Sequence, residues 1–345
     1  MSKKDQKSKS KYIVGVDLGG TKILIGLMNS SFGLMGSHKT AVEPQRGEKV
    51  FLKSIQNGIE TVLDEARVSI KEISCIGVGC PGMIQFPQGT IKLSPNIAFL
   101  KNYPLQRRLS KMFKVPVLVE NDVNAGLYGE QQFGSARGHR HVIGIFLGTG
   151  VGGAMILDGR LYRGASGAAG EIGHTFLAPP SMLSSFEKST TLEGLVGRLA
   201  ISSEAALLVM KQKANHLYED VQYDVRRIKS KMLLNSIQSG DSSVKELVLQ
   251  KGRILGLAMA NAVNLLNPEM IVLGGGVIEA MGHLIIPVAR EVMHRYAMAP
   301  IVKNVKVAQA KLGDYSIVKG AAKLAWDVHF NSWEEQGRKR KKGEE

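Results

Sequence analysis

The stretch YIVGVDLGGTKILIGLMN, at Tyr12–Asn29, decides the fold. Two β-rich runs flank Gly19 and Gly20, a pattern that predicts two strands joined by a tight turn. A third strand is expected near Leu34–Thr40. Asp17 ends the first run beside backbone that glycine leaves open, so amide groups there can approach a metal-bound phosphate closely. A plain hairpin, which GG dipeptides often form, is the alternative.

A second glycine cluster, VIGIFLGTGVGGAMIL at Val142–Leu157, repeats this pattern. Its glycines have the GxGxxG spacing of a dinucleotide fingerprint, but that fingerprint requires a helix after the glycines. A β segment with a DG turn follows here instead. Residues 14–19 and 143–148 align at one constant offset, which indicates an internal duplication. Two such glycine hairpins would face each other over one cleft and hold one nucleotide.

The stretch VLVENDVNA, at Val117–Ala125, carries the candidate catalytic group. A strand-like run ends in Glu120, Asn121 and Asp122, and small residues that can open a helix follow. The carboxyl ends of strands face the ligand crevice of an open α/β sheet, and a helix amino terminus favours an ionised carboxylate. Asp122 is therefore a candidate general base. Alternatively, Asn121 or Asp122 only caps the helix, and this stretch alone does not decide between the two.

Three further turns offer polar or open backbone groups. Gly82 follows Pro81, a turn that exposes backbone amides at the end of the strand Ile73–Gly79. Asn96 offers a donor and an acceptor to a polyhydroxyl ligand, or it closes a turn. Gly274–Gly276 forms a tight turn at a helix start, which suits either adenine ribose or close packing.

Composition indicates an ordinary globular protein with a basic surface. The 345 residues are enough for two domains, with 44% hydrophobic and 22% charged residues. The net charge is +15, and the lysine-rich residues 1–11 and the charged residues 334–345 are expected to be solvated tails. A basic body suits an anionic partner such as a nucleotide. No nucleic-acid-binding motif accompanies the charge, so nucleic acid is not an expected partner.

Cysteine usage and hydropathy predict a cytoplasmic protein. Cys75 and Cys80 are too few for a disulfide framework and lack the CxxC spacing of a redox or zinc motif. No apolar segment follows the amino-terminal lysines, and no apolar run reaches the length that spans a membrane. A membrane partner is therefore not expected.

Four motifs occur in the order found in the ROK family of sugar kinases and repressors, within the actin-like ATPase superfamily. DLGGTK at Asp17–Lys22 resembles the first phosphate motif and FLGTGVGGA at Phe146–Ala154 the second, VLGGGV at Val272–Val277 resembles the adenosine motif, and ENDVNA carries the base. The resemblance runs from about Tyr12 to Phe330. It implies an α/β, two-domain actin-like ATPase (ribonuclease H-like) fold with a duplicated βββαβαβα core and an interdomain cleft.

The resemblance also implies the domain boundaries. A small amino-terminal α/β domain is expected over residues 12–122, completed by a carboxy-terminal helix at about 315–330. A large α/β domain would span residues 123–314. The family likeness further suggests a homodimer.

The family motifs imply a role for each candidate site residue. Asp122 would take the proton from the sugar 6-hydroxyl, and the other expected sugar-binding residues are Gly82, Asn96, Asn121, Glu171 and His174 of GEIGH, and Glu193. The expected nucleotide-binding residues are Asp17, Gly19, Gly20, Thr21, Lys22, Gly148, Thr149, Gly150, Gly274, Gly275 and Gly276. Asp17 would hold the Mg²⁺ of ATP through water.

The implied function is an ATP-dependent hexokinase, with glucokinase as the first choice. An N-acetylmannosamine or N-acetylglucosamine kinase, a fructokinase and a polyphosphate-using glucokinase are the alternatives. A non-catalytic sugar-sensing regulator is disfavoured, because only eleven residues precede Tyr12, too few for a helix-turn-helix domain.

One departure from the family predicts that the chain binds no structural zinc. Most members have a CxCGxxGC segment before the residue equivalent to Glu193, and its cysteines hold zinc together with the histidine equivalent to His174. The stretch SSFEKSTT replaces it here, with Ser184, Phe186 and Thr191 at the cysteine positions. Either packing around Phe186 replaces the metal, or the sugar pocket is changed.

We therefore expect metal analysis of the purified protein to find no stoichiometric zinc. One zinc ion per chain, retained after extensive dialysis, would contradict this prediction.

Overall fold

The computed structural model describes residues 11–20, 22–41, 46–94, 97, 99–177, 190–221, 224 and 227–330. The chain divides into two compact units. The first comprises Met1–Arg137, Arg163–Ala169 and Asp314–Glu345, and the second comprises Gly138–Tyr162 and Gly170–Gly313. Each unit has its own hydrophobic core.

The first unit is a five-stranded sheet with helices on both faces, and its strand order is β3-β2-β1-β4-β7 in the described part of the chain. The strands are β1 (Tyr12–Leu18), β2 (Lys22–Asn29), β3 (Leu34–Ala41), β4 (Ile73–Cys80) and β7 (Val117–Asn121), with a separate ribbon of β5 (Met83–Gln85) and β6 (Thr90–Leu93). The helices are α1 (Glu48–Glu65), α2 (Leu105–Phe113), α3 (Asp122–Phe133) and α11 (Tyr315–Phe330).

The two faces of this sheet are covered in different ways. Apolar side chains of α1 and α2, including Phe51, Ile55 and Leu109, join the core on one face. On the other face Gly26, Gly15 and Gly77 pair across β2, β1 and β4, and α11 lies against this glycine row. Because the row has no side chains, the helix backbone comes directly onto the sheet.

The second unit has the same strand pattern, with the order β10-β9-β8-β11-β12. Its strands are β8 (Val142–Leu147), β9 (Val151–Leu157), β10 (Arg160–Leu161), β11 (Met270–Gly274) and β12 (Lys306–Gln309). Its helices are α4 (Leu192–Val196), α5 (Arg198–Met210), α6 (Asn215–Val221), α7 (Ser230–Gln238), α8 (Ser242–Leu266), α9 (Gly276–Tyr296) and α10 (Ala299–Val302).

The duplication predicted from the glycine hairpins is visible in the strand pairing. In each unit the hairpin strands are antiparallel, β1 with β2 and β8 with β9, and the first hairpin strand pairs in parallel with a later strand, β4 or β11. The mixed α/β class is thereby confirmed. The predicted boundary lay at residue 122, whereas α3 packs on α11 and β4 and falls within the first unit.

The described helices include none that is long and apolar enough to cross a membrane. This result covers only the part of the chain that the structure describes.

The close packing of α11 on the glycine row predicts that one methyl group added to the row lowers the free energy of unfolding. A Cβ at residue 77 would lie 1.9 Å from the Ala321 carbonyl oxygen, which is backbone and cannot turn away. We expect Gly77→Ala to lower the free energy of unfolding by about 3 kcal/mol in chemical denaturation.

Gly36→Ala on β3 is the matched control, because its Cβ would meet nothing closer than Val62 at 3.7 Å. Its free energy of unfolding is expected to change by less than about 1 kcal/mol. Equal effects of the two substitutions would contradict the close approach of α11.

Candidate functional site

The junction of β7 and α3 positions the candidate base. Asn121 is the amino-terminal cap of α3: its Oδ1 accepts a hydrogen bond from the Asn124 N–H at 3.0 Å, and its Nδ2 donates to the Gly82 carbonyl at 3.1 Å. Asp122 is the first helical residue and is half-buried, and its Oδ1 accepts from the Val123 N–H at 2.9 Å. The cap is thus supplied by Asn121, which leaves Asp122 with a carboxylate at the positive end of the helix.

The same junction brings several predicted sugar-binding residues together within the first unit. The hydrogen bond from Asn121 to Gly82 ties the Pro81–Gly82 turn to the start of α3. Asn96, a further predicted sugar ligand, lies outside the described residues, and so does Thr21 of the first glycine turn.

A buried ion pair lies directly behind the candidate base. Glu120 is 2% exposed, and its Oε2 accepts from Arg163 Nε at 2.6 Å. Its Oε1 accepts from the Asn121 backbone N–H and from Asn124 Nδ2, both at 3.0 Å. The Arg163 guanidinium also stacks on the Phe86 ring, 4.0 Å from its centre. Glu120 therefore fixes the backbone from which Asn121 and Asp122 project.

Asp17, the candidate magnesium residue, stands in a negative environment within the same unit. Burial, followed by repulsion from the Asp122 and Asp314 carboxylates, raises the pKa of Asp17 to about 7. Lys39 opposes the shift and forms an ion pair with Asp314 at 3.4 Å. Asp17 and Asp122 thus share one electrostatic neighbourhood.

These carboxylates fit a magnesium ion held together with phosphate. A divalent cation near Asp17 would relieve the repulsion that raises its pKa. Mg²⁺ commonly binds through one or two carboxylates, substrate phosphates and water rather than through an all-protein cage. Within the described ranges, no group of three or more His, Cys, Asp or Glu is arranged to hold a metal ion.

The first glycine turn is closed by its own backbone. The Gly19 N–H donates to the Lys22 carbonyl at 2.9 Å, so the end of β1 is hydrogen-bonded to the start of β2. Lys22 is exposed at the start of β2. This turn lies immediately after Asp17 in the chain.

In the second unit, the hairpin of Gly148, Thr149 and Gly150 connects β8 to β9. It is closed by the Gly148 N–H, which donates to the Gly150 carbonyl at 2.9 Å. Thr149 is exposed at the tip. The carboxylate of Glu193 accepts from the Val151 N–H at 2.9 Å and fills the space beside Gly150. The predicted sugar ligand Glu193 is therefore bonded to the predicted phosphate hairpin.

The adenosine motif lies beside the same hairpin. Gly275 packs on the backbone of Leu147, the last residue of β8, and a Cβ at residue 275 would lie 2.5 Å from the Leu147 carbonyl oxygen. Gly276 begins α9, and the space beside it is open. The second unit thus brings Gly148–Gly150 and Gly274–Gly276 together.

The segment GEIGH places its two polar side chains near each other. His174 Nε2 lies 3.8 Å from Glu171 Oε2, and both side chains are largely exposed. Glu171 precedes a short 3-10 helix at Ile172–His174.

The cysteine-free stretch is described only at its end. Residues 178–189, which include Ser184 and Phe186, lie outside the described residues. Thr191, at the third cysteine position, caps α4 by accepting from the Gly194 N–H at 3.1 Å. Cys75 and Cys80 are buried in β4 of the first unit.

Comparison with known proteins gives a consistent result. The chain matches the ROK family model over residues 13–328. It is 30% identical to a glucokinase of Halalkalibacterium halodurans over 91% of this chain and 94% of that protein. It is 31% identical to a xylose repressor of Caldicellulosiruptor bescii over 89% of this chain and 76% of that protein.

A solved structure has the same fold. The ROK family glucokinase from Streptomyces griseus, in complex with glucose and AMPPNP, superimposes with a TM-score of 0.77. It is 26% identical to this chain, and the match covers 91% of this chain and 98% of that one. The resemblance and the fold class inferred from the motifs are confirmed.

The raised pKa of Asp17 predicts a pH dependence of stability. Between about pH 4 and pH 7 the folded chain retains a proton that the unfolded chain releases, so the free energy of unfolding contributed by Asp17 falls as the pH rises through this window. Asn resembles the protonated carboxyl. In metal-free buffer, Asp17→Asn should therefore match the wild type near pH 4 and exceed its stability at pH 8, by up to about 4 kcal/mol.

Denaturation with urea at a series of pH values in EDTA measures this difference. Asp64→Asn, on the exposed surface of α1, is the control and should follow the wild-type curve. A constant difference between Asp17→Asn and the wild type over the whole range would overturn the assignment.

Proposed function

The chain belongs to the ROK family, and from that premise we propose that it transfers the γ-phosphoryl group of ATP to the 6-hydroxyl of a hexose, with glucose as the substrate. The observation that carries the proposal is the β7–α3 junction. Asn121 caps the helix there, and the adjacent Asp122 carboxylate lies at the positive end of the helix, where it would act on a bound hydroxyl.

Asp122 would act as the general base. As the sugar oxygen attacks the γ-phosphorus, a new P–O bond forms and the bond from the γ-phosphorus to the β,γ-bridging oxygen breaks. The hydroxyl proton passes to the Asp122 carboxylate, and ADP carries away the electron pair of the broken bond. No covalent enzyme intermediate is required.

Asp17 would hold the magnesium ion of the nucleotide through water. When bound, the ion supplies neutralising charge to the phosphate oxygens during transfer. The raised pKa of Asp17 means that the ion must displace a proton from part of the molecules at neutral pH. Gly148–Gly150 would receive the phosphate chain and Gly274–Gly276 the adenosine, in keeping with the packing of Gly275 on Leu147, which directly precedes Gly148.

Asn121, Glu171, His174 and Glu193 would bind the sugar hydroxyls. Asn121 has one amide hydrogen and one carbonyl lone pair in addition to those used by its two hydrogen bonds, so it can still bind a hydroxyl. Glu171 and His174 offer an acceptor and a titratable ring close together. Glu193 accepts a hydrogen bond from the Val151 N–H. It can contact a sugar either while keeping this hydrogen bond or after breaking it.

Glucose is proposed because glucokinases are prominent among the relatives, including the one from Halalkalibacterium halodurans. An N-acetylhexosamine, fructose or a polyphosphate donor is the alternative within the same chemistry. The repressor relative raises a sugar-responsive regulator as the rival from another class. The paired presence of Asp17 and Asp122 favours the enzyme. The cytoplasmic location and the homodimer stay predictions.

Asp122→Asn tests the proposal. We expect the wild type to phosphorylate glucose in a coupled assay, and the variant to lose about 100-fold or more in kcat, because the base is removed. The thermal unfolding midpoint should change little, since Asn121 supplies the cap.

The assay covers glucose, mannose, fructose, N-acetylglucosamine and N-acetylmannosamine, with ATP or polyphosphate as donor. Asp64→Asn removes an exposed carboxylate from the same unit and should retain wild-type turnover. A wild type that phosphorylates none of these sugars, or full activity in Asp122→Asn, would refute the proposal.

A further inference from the structure

Arg198 places a cation at the tip of the second glycine hairpin. Its Nη2 donates a hydrogen bond to the Thr149 hydroxyl at 3.0 Å. None of the sequence motifs includes this residue, which is the first of α5 and lies five positions after Glu193. The hydrogen-bond partner is a neutral hydroxyl on an exposed residue, so this contact leaves the charge of the guanidinium uncompensated.

The backbone around Arg198 is fixed to the hairpin. Its own N–H donates to the Gly148 carbonyl at 3.1 Å, and the Leu199 N–H donates to the Thr149 carbonyl at 3.3 Å. Glu193 holds the other side of the hairpin through the Val151 N–H. The start of α5 is therefore hydrogen-bonded to the hairpin of residues 148–151. These backbone hydrogen bonds fix the position of Arg198 relative to the hairpin.

The guanidinium has further donors to give. Within the described ranges, the one side-chain hydrogen bond of Arg198 is the contact with Thr149, and its side chain is half-buried. A Cβ at Gly148 would meet no atom within 4 Å, so the hairpin beside Arg198 is open to a ligand. A guanidinium with donors left over beside open backbone suits an anion with several oxygens, because its planar fork binds phosphate through two parallel hydrogen bonds.

We propose that Arg198 binds the phosphate chain of the phosphoryl donor. This inference deepens the proposed function, since it rests on the assignment of Gly148–Gly150 to the donor phosphates. In the structure the Thr149 hydroxyl accepts from one donor of the guanidinium. When the phosphate chain binds, its oxygens accept hydrogen bonds from the remaining N–H groups of Arg198. Their negative charge then balances the guanidinium, which the neutral Thr149 hydroxyl does not do.

The ligand class is a chain of phosphates, carried either by adenosine or by inorganic polyphosphate. Calorimetric titration of adenosine, ADP, AMPPNP and tripolyphosphate, each with Mg²⁺ and without sugar, distinguishes the two sources. The variants are Arg198→Gln, which removes the charge, and Arg198→Lys, which keeps it without the planar fork. Arg290→Gln on the exposed surface of α9 controls for the lower net charge.

We expect Arg198→Gln to raise the Kd for AMPPNP about 10- to 100-fold while the Kd for adenosine stays unchanged. Arg198→Lys should fall between Arg198→Gln and the wild type, and Arg290→Gln should match the wild type. The dependence of AMPPNP affinity on salt should also be weaker in Arg198→Gln. An effect on tripolyphosphate alone would identify polyphosphate as the donor, and an effect on AMPPNP alone would identify the nucleotide.

A different pattern would overturn the inference. If Arg198 only supports the hairpin, then Arg198→Gln will weaken adenosine and AMPPNP equally, or weaken neither. These titrations contain no sugar, so they do not depend on the kinase assay. A wild type that binds AMPPNP through Arg198 but phosphorylates no sugar would refute the proposed function and leave this inference standing.

Discussion

The first unit depends on the close packing of α11 on the glycine row, where Gly15 and Gly77 meet the helix backbone and Gly26 meets the Val318 side chain. Two of the strands in this row, β1 and β4, carry candidate functional groups at their carboxyl ends, Asp17 and the Pro81–Gly82 turn. The distance between α11 and the sheet therefore also determines the positions of Asp17 and of the Pro81–Gly82 turn. Because backbone packs on backbone here, the carboxyl ends of β1 and β4 have little room to move.

The candidate site residues of the two units differ in charge. In the first, Asp17 lies near Asp122 and Asp314, and Lys39 opposes this negative charge. That environment suits a group that receives protons or holds a cation. In the second, glycine backbone and the Arg198 guanidinium suit an anion.

Local features of the site were predictable, whereas long-range partners were not. The strands around each glycine hairpin and the strand-to-helix junction at Asp122 follow from short patterns, because hairpins and caps are decided within a few residues. The contact of Glu120 with Arg163 joins residues far apart in the chain and depends on sheet order. The sequence shows a glutamate, Glu120, next to the candidate base, but it does not show which cation pairs with that glutamate. Arg198 was missed for the same reason.

The chain order of the first unit has a consequence for biosynthesis. Its sheet is complete in sequence by Asn121, but the helix that covers the glycine row begins only at Tyr315. On the ribosome, the glycine row therefore stays uncovered while the whole second unit is translated, and domains generally fold as units during synthesis. The surroundings of Asp17, including Asp314, are assembled last. A nascent chain thus completes the group of Asp17, Asp122 and Asp314 only after the second unit has been translated.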